Sequence, residues 1–233
     1  MAHERPLKPI PTGLQFFDPQ QSHSIGWKTL PHWAQSGAVT FITWRTADSL
    51  PKALIVQLAR QRETLLSQHC IDPAGDWREA ISHLPVDQRT TLQWSLFVAW
   101  DEQLDLAAGA CYLRHAQASS IVMQSLLHFD NDRYVLTDAV VMPNHVHLLV
   151  AFREEDSLLR QCTSWKHFTA TKINQWLREE QGVPAAGEFW QVEQFDHLVR
   201  SPEGFERYRN YLAENLRSVH LPLTEDRYYT RLL

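Results

Sequence analysis

The chain has 233 residues, of which 44% are hydrophobic and 21% are charged, and it contains 12 prolines against 8 glycines. This composition excludes collagen-like, low-complexity and intrinsically disordered chains, and it suffices for a large hydrophobic core. With 22 basic and 27 acidic residues the formal charge is −5. A protein that coats nucleic acid by bulk electrostatics is therefore excluded, and a nucleic-acid function needs a local basic face.

Cellular location follows from apolar runs and cysteine usage. No apolar run approaches the ~20 residues that a membrane helix needs, and the N-terminal sequence lacks the apolar stretch of a secretory signal. The three cysteines are widely separated and show no C-x-x-C spacing, so they predict neither a disulfide framework nor a zinc site. We expect a cytoplasmic protein with reduced thiols.

The first half of the chain begins with a proline-containing arm over residues 1–36 that shows no clear period. A run rich in β-branched and aromatic residues predicts a strand over 37–46. Ser49 is placed to cap a following helix over 51–68. Residues 76–115 are irregularly helical, and we interpret them as an accessory helical insertion.

The second half gives the clearer pattern. After a helical stretch over 119–127, two β-rich runs, 134–142 and 145–152, are separated only by a proline and an asparagine, which predicts a hairpin. An amphipathic helix is predicted over 157–180, and another begins after Ser201. We predict one domain over 37–221, with the insertion inside it and an unassigned tail over 222–233.

His145 and His147 are the sharpest local feature. Residues two apart in a strand project from the same face, so the two imidazoles lie close enough to share one divalent cation. The alternative is that two polar side chains mark the solvent face of a half-buried strand. The pair alone does not identify a metal.

The last predicted helix carries Tyr208, Tyr211 and Asn215. Tyr211 and Asn215 are one turn apart and project from the same face, so a phenol and a carboxamide are held together there. A tyrosine is a usable nucleophile toward phosphorus when a metal polarises the phosphate. The alternative is that the tyrosines pack against the sheet with their hydroxyls at its rim.

Four motifs follow one another in a fixed order: P-N-H-V-H-L at 143–148, W-K-x-F-T at 165–169, F-D-H-x-x-R at 195–200 and Y-x-x-x-N at 211–215. In this order the chain resembles the single-tyrosine transposases of the HUH endonuclease superfamily, and most closely the REP-associated tyrosine transposases. The resemblance covers about residues 37–216.

The resemblance implies an α+β fold with a small antiparallel sheet of the ferredoxin-like or RRM-like kind and helices on one face. It implies that His145, His147 and Asn215 ligate Mg²⁺ or Mn²⁺, and that Tyr211 is the nucleophile. Its hydroxyl would attack single-stranded DNA at hairpin-forming repeats, leaving a 5′-phosphotyrosine link and a free 3′-OH that later reverses the reaction. Tyr208 is the competing candidate for the nucleophile.

The partner predicted is single-stranded or hairpin DNA, with a homodimer possible and no membrane. Basic and aromatic side chains are the candidates for DNA contacts, the basic ones through phosphates and the aromatic ones by stacking on bases. They are Arg45, Lys166, Lys172, Arg200 and Arg217, together with Trp190 and Phe195. The alternative is that the lysines form a solvated helix face and that Trp190 belongs to the core.

Two other functions fit the same residues. A catalytically impaired protein could keep the fold and still bind DNA or RNA hairpins. A metal-dependent phosphodiesterase that uses water would depend on the histidines but not on Tyr211.

Overall fold

The structure, a computed structural model, describes residues 14–27, 31–50, 52–105, 108–155, 157–184 and 187–231. Residues 1–13 of the predicted arm lie outside the described residues. The chain divides into two compact units. One comprises the described residues of Met1–Ala47 and Tyr112–Leu233, and the other is Asp48–Cys111.

Two short strands lie where the sequence predicted only an extended arm. β1 (Ser24–Trp27) and β2 (Pro31–Ala34) pair antiparallel, with Ile25 opposite Trp33. Alternation along β2 buries His32 and Ala34 and leaves Trp33 exposed. The small sheet therefore has one face against the rest of its unit and one face outward.

The main sheet has five strands in the order β6-β3-β5-β4-β7, and every neighbouring pair is antiparallel. The first four of these follow the split β-α-β arrangement of ferredoxin-like folds, because β5 lies between β3 and β4. The predicted α+β class is confirmed. The strands are β3 (Val39–Arg45), β4 (Tyr134–Val141), β5 (His145–Phe152), β6 (Phe195–Leu198) and β7 (Tyr228–Thr230).

Helices cover both faces of this sheet, whereas the sequence predicted helices on one face. All eight residues of β5 are buried, which requires cover on each side. One face packs against two helices, and Trp44 of β3 stacks on Trp165 there at a centroid distance of 5.8 Å. The opposite face packs against the last helix. In chain order the three helices are α4 (Ala116–Leu127), α5 (Ser157–Glu180) and α6 (Pro202–Ser218), which follow α1 to α3 of the other unit.

Local signals determine the ends of the elements around the site. The hairpin turn between β4 and β5 is closed by the Met142 amide, which donates to the His145 carbonyl at 2.9 Å. Ser201 caps α6, since its Oγ accepts from the Gly204 amide at 3.1 Å, and Pro202 occupies the first helical position. These are the turn and the cap that the sequence predicted.

The unit Asp48–Cys111 is helical and has its own small core. It contains α1 (Lys52–Gln68), α2 (Trp77–Ser82) and α3 (Val86–Asp105). Its buried core side chains are Leu66, Ile71, Ile81 and Leu92. It thus holds the predicted helix over 51–68 and most of the segment 76–115. Among the helices of the described residues, none combines the length and the apolar character needed to cross a bilayer.

Candidate active site

His145 and His147 lie side by side on the sheet face that α6 covers. Both side chains are fully buried, and their ring centroids are 4.5 Å apart with the planes at 75°. Strand alternation brings them together, because Val146 between them projects to the α5 face. The structure therefore gives the two imidazoles a common buried environment.

Hydrogen bonds at Nδ1 orient both rings. The Nδ1 of His145 donates to the Oδ1 of Asn144 at 2.7 Å, and the Nδ1 of His147 is 2.7 Å from the Oγ1 of Thr43. Because an amide oxygen only accepts, the neutral His145 ring carries its lone pair on Nε2. Histidines that ligate metals are usually held in this way by a partner at the other ring nitrogen.

Burial keeps both imidazoles uncharged. It lowers the pKa of His145 from 6.5 to about 3. It also lowers the pKa of His147 well below 6.5, and the neighbouring His145 lowers it further. At neutral pH both rings are neutral, which is the form that ligates a metal ion.

Tyr211 of α6 lies next to this pair. Its ring centroid is 5.7 Å from that of His147 and 6.3 Å from that of Phe41, and the residue is partly exposed although its hydroxyl oxygen is buried. Asn215, one turn further along α6, is buried. The helix thus brings three of the predicted residues, the two histidines and the tyrosine, into one site.

Tyr208 occupies a different environment from Tyr211. Its ring stacks on Phe41 at a centroid distance of 4.4 Å and is 8% exposed. Burial raises the pKa of its phenol above the ordinary value of 10. Its hydroxyl is therefore harder to ionise, which makes it a poorer nucleophile.

The donor set is suited to a divalent cation but contains no carboxylate. Among the described residues there is no group of three or more His, Cys, Asp or Glu side chains that could hold a metal ion. A site here would consist of the imidazoles of His145 and His147 and the amide of Asn215. Two neutral nitrogen donors and an amide oxygen suit Mn²⁺ better than Mg²⁺, which prefers oxygen ligands.

Two of the predicted DNA contacts border the site. Arg45 is the last residue of β3 and pairs in register with His145, so its side chain projects to the same face. Burial lowers its pKa to about 10, at which the guanidinium is still charged at neutral pH. Phe195 of β6 pairs with Thr43 and is partly exposed on that face.

Two others lie in the interior. The Nζ of Lys166 donates to the carbonyl of Val192 at 2.6 Å and to the Oε1 of Gln194 at 3.1 Å, and its side chain is only 8% exposed. Trp190 is buried, and its Nε1 donates to the Oγ1 of Thr169 at 2.9 Å. Both connect α5 to the segment that precedes β6, on the far side of the sheet from the histidines.

Of the remaining three, Arg200 is partly buried, and Lys172 and Arg217 are exposed. Arg200 is 3.2 Å from the Nε2 of His197 and lies over the ring of Phe17 at 5.8 Å. Lys172 is exposed on α5, which packs on the face opposite the histidines. Arg217 is exposed in the last turn of α6. Arg45 is thus the predicted basic residue next to the histidine pair.

Thr43 and Asn144 are site residues that sequence analysis missed. Asn144 precedes His145 directly, and an amide beside a candidate ligand is a usable signal. Thr43 gives no such signal, because its contact with His147 joins residues 104 apart and depends on the pairing of β3 with β5.

Comparisons with known proteins give one likeness. No protein-family model matches the chain, and no curated protein matches it. Among solved structures, the chain is similar to a REP-associated tyrosine transposase bound to a REP hairpin, with 12% sequence identity and a TM-score of 0.34. The match covers 82% of this chain and 73% of that chain. A likeness with so low an identity and TM-score carries no conclusion about function, which depends instead on the side chains of the site.

Proposed function

We propose that the protein is a metal-dependent single-stranded DNA endonuclease and transposase that acts through a 5′-phosphotyrosine intermediate, at hairpin-forming repeats. The observation that carries the proposal is the distance of 5.7 Å between the partly exposed ring of Tyr211 and the ring of His147. His147 and His145 form a buried pair of neutral imidazoles. The four ordered sequence motifs support the same function.

Tyr211 supplies the nucleophile. Its phenolic oxygen forms a bond to the phosphorus of a phosphodiester, and the bond from phosphorus to the 3′-oxygen of the preceding nucleotide breaks. The phenol loses its proton to solvent, and the departing 3′-oxygen gains one. Attack by a 3′-OH on the phosphotyrosine reverses the step and needs no ATP, because the covalent link stores the bond energy.

His145, His147 and Asn215 are the residues that would hold the divalent ion. When bound, the ion supplies positive charge that stabilises the charge developing on the phosphate and favours the ionised phenol. Asn144 and Thr43 fix the orientation of the two rings from behind, through their contacts with Nδ1. The buried surroundings keep the imidazoles neutral and available as ligands.

The substrate is held by side chains at the border of the site. Arg45 places a charged guanidinium beside His145, where it can contact a phosphate. Phe195 offers a partly exposed ring on the same face, on which a base can stack. Both groups contact single strands without reading base edges, so they give affinity rather than sequence specificity.

The test is formation of a covalent adduct. Purified protein is incubated with Mn²⁺ and labelled single-stranded oligonucleotides that carry the hairpins flanking its gene, and a denaturing gel is used to detect a slow-migrating band. We expect the band with the native protein and its loss in Tyr211→Phe and His145→Ala, while a gel shift shows that Tyr211→Phe still binds the DNA.

Other outcomes separate the alternatives. Binding without any band from the native protein would favour the hairpin-binding function. Cleavage that survives Tyr211→Phe and fails in His145→Ala would favour hydrolysis by water.

A further inference from the structure

The interface between α6 and the sheet contains a buried ion pair. The Nε of Arg209 donates to both carboxylate oxygens of Asp138, each at 3.1 Å. Asp138 is 0% exposed and Arg209 is 7% exposed. A charged pair is thus placed where an apolar contact would be expected between a helix and a sheet.

Neighbouring polar groups complete the hydrogen bonds of this pair. The hydroxyl of Thr230 donates to the Oδ1 of Asp138 at 2.7 Å and accepts from the Nη2 of Arg209 at 2.8 Å. The Nη2 of Arg209 also donates to the carbonyl of Arg231. Asp138, Arg209 and Thr230, which we call the α6 anchor, therefore connect β4, α6 and β7.

A contribution to the free energy of unfolding is a poor explanation for the α6 anchor. Taking two charges out of water costs free energy that their attraction offsets only when the geometry is good, and replacing such a pair by apolar residues is often neutral or stabilising. What the planar guanidinium does provide is a fixed geometry, because Nε donates to both oxygens of Asp138 while Nη2 donates to the hydroxyl of Thr230. The α6 anchor restricts how the helix can slide and roll on the sheet.

Tyr211 depends on that restriction. On α6, the buried Tyr208 and Leu212 face the sheet, and Arg209 and Tyr211 lie 200° apart around the axis, given 100° per residue. They therefore flank the buried stripe on opposite sides. A roll of α6 that moves Arg209 away from Asp138 moves the Tyr211 ring relative to the sheet as well.

The anchor also lies close to the histidines along the sheet. Asp138 pairs with Leu149 of β5, and His147 is two residues earlier on β5, where it pairs with Val140. Asp138 and His147 project to the same face. The position of α6 on β4 thus sets the distance between Tyr211 and His147.

We propose that Asp138, Arg209 and Thr230 are positioning residues that hold α6 so that the Tyr211 phenol faces the histidine pair. The positional part concerns this fold alone, and the catalytic part rests on the proposed function. The two parts are tested by separate measurements.

Arg209→Lys is the main variant, because it keeps the charge and loses the planar guanidinium that donates through Nε to Asp138 and through Nη2 to Thr230. Arg231→Lys is the matched control: the Arg231 side chain also pairs with an aspartate, Asp130, and bonds the carbonyl of Leu136 on β4, whereas its contact with Arg209 of α6 runs through its backbone carbonyl, which the substitution keeps. Circular dichroism and thermal unfolding establish that each variant is folded.

The first measurement is the NMR cross-relaxation between the aromatic protons of Tyr211 and His147 in protein labelled at Tyr and His, assigned with Tyr211→Phe. We expect the native cross-peak to be lost or shifted in folded Arg209→Lys and retained in Arg231→Lys. A native cross-peak in Arg209→Lys would overturn the proposal, whatever the protein does to DNA.

The second measurement is adduct formation with Mn²⁺ and saturating hairpin oligonucleotide. We expect Arg209→Lys to lower the rate constant by about 10- to 100-fold, since small displacements of a reacting group have effects of this size. We expect DNA affinity to change by less than about threefold. An equal fall in Arg231→Lys would contradict the proposal, because it would show a general loss of structure.

Two outcomes remain to be assigned. If Arg209→Lys does not fold, Thr230→Val decides, since it keeps the ion pair and removes the shared hydroxyl. We then expect a weaker cross-peak and a smaller loss of rate, and native values for both would overturn the proposal. If the native protein forms no adduct, the proposed function fails, and the cross-peak alone decides the positional part.

Discussion

The two faces of β5 differ in chemistry although they come from the same eight residues. Val146, Leu148 and Val150 project to the face covered by α4 and α5, where they join a large apolar core. His145 and His147 project to the face covered by α6. A single strand thus contributes alternately to the hydrophobic core and to the candidate site.

The polar face is organised by specific contacts, whereas the apolar face is organised by packing. On the polar face, specific hydrogen bonds hold the rings of His145 and His147, through Asn144 and Thr43, and the guanidinium of Arg209, through Asp138. On the other face, Trp44 and Trp165 stack within a dense aromatic cluster. We therefore expect changes on the apolar face to lower the free energy of unfolding, and changes on the polar face to alter reactivity.

The largest effects come from comparing Leu148→Ala with His147→Asn, which are adjacent on β5. Leu148→Ala leaves a cavity in the core and should lower the free energy of unfolding by about 2–5 kcal/mol, with adduct formation per folded molecule unchanged. His147→Asn should lower adduct formation by more than about 100-fold, since even the outer partners of a ligand are worth about 10- to 100-fold.

Urea unfolding measures the first effect, and the denaturing gel measures the second. In His147→Asn the free energy of unfolding should fall by about 1–3 kcal/mol, because the buried hydroxyl of Thr43 loses its partner at Nδ1. If both variants lost stability equally and formed the adduct equally, the assignment of stability to the apolar face and of reactivity to the polar face would be wrong.

The pH dependence of stability gives a smaller effect, which comes from the polar face. Burial lowers the pKa of His145 to about 3 in the folded protein, against 6.5 for the free side chain. The unfolded chain then binds a proton below pH 6.5 that the folded ring does not bind. The free energy of unfolding is therefore highest above pH 6.5 and falls as the pH is lowered. For this ring the fall is on the order of 1 kcal/mol per pH unit.

The measurement is urea unfolding at pH 7 and pH 5 in the presence of a chelator. His145→Gln should lose less stability between the two values than the native protein, whereas Leu148→Ala should lose as much as the native protein. An identical loss in native protein and His145→Gln would show that the ring is not held neutral by burial.

The smallest effect is expected from Tyr208→Phe. This change removes only the hydroxyl and keeps the stack on Phe41, so adduct formation should change by less than about threefold. The rate of adduct formation measured beside Tyr211→Phe is the test. Loss of the adduct in Tyr208→Phe and its retention in Tyr211→Phe would move the nucleophile by one turn of α6.

Elements with local signals could be predicted from the sequence. The bounds of α5 agree with the prediction, and α6 begins at the predicted cap, because Ser201 and Pro202 act on adjacent residues. The β4–β5 hairpin was predicted for the same reason. β7 was not, since its three residues gain their structure only by pairing with Asp138–Val140, some 90 residues earlier in the chain.

The polar contacts of the site could not be predicted from the sequence, because they also join residues that are far apart in the chain. Lys166 was predicted either to contact DNA or to lie on a solvated helix face, but its ammonium is enclosed by oxygen atoms of residues 191–194. The Asp138–Arg209 pair joins residues 71 apart, and nothing near either residue predicts it. The histidines and Tyr211 could be proposed because residue type and spacing suffice, whereas their partners follow from tertiary structure.

The most direct test of the central claim is to identify the residue that carries the DNA. The adduct formed with Mn²⁺ and a hairpin oligonucleotide is digested with nuclease and protease, and mass spectrometry locates the remaining nucleotide on the protein. We predict a 5′-linked nucleotide on Tyr211, in the peptide that contains α6. Attachment at Tyr208 or at a residue outside α6, or cleaved DNA with no residue modified, would contradict the account.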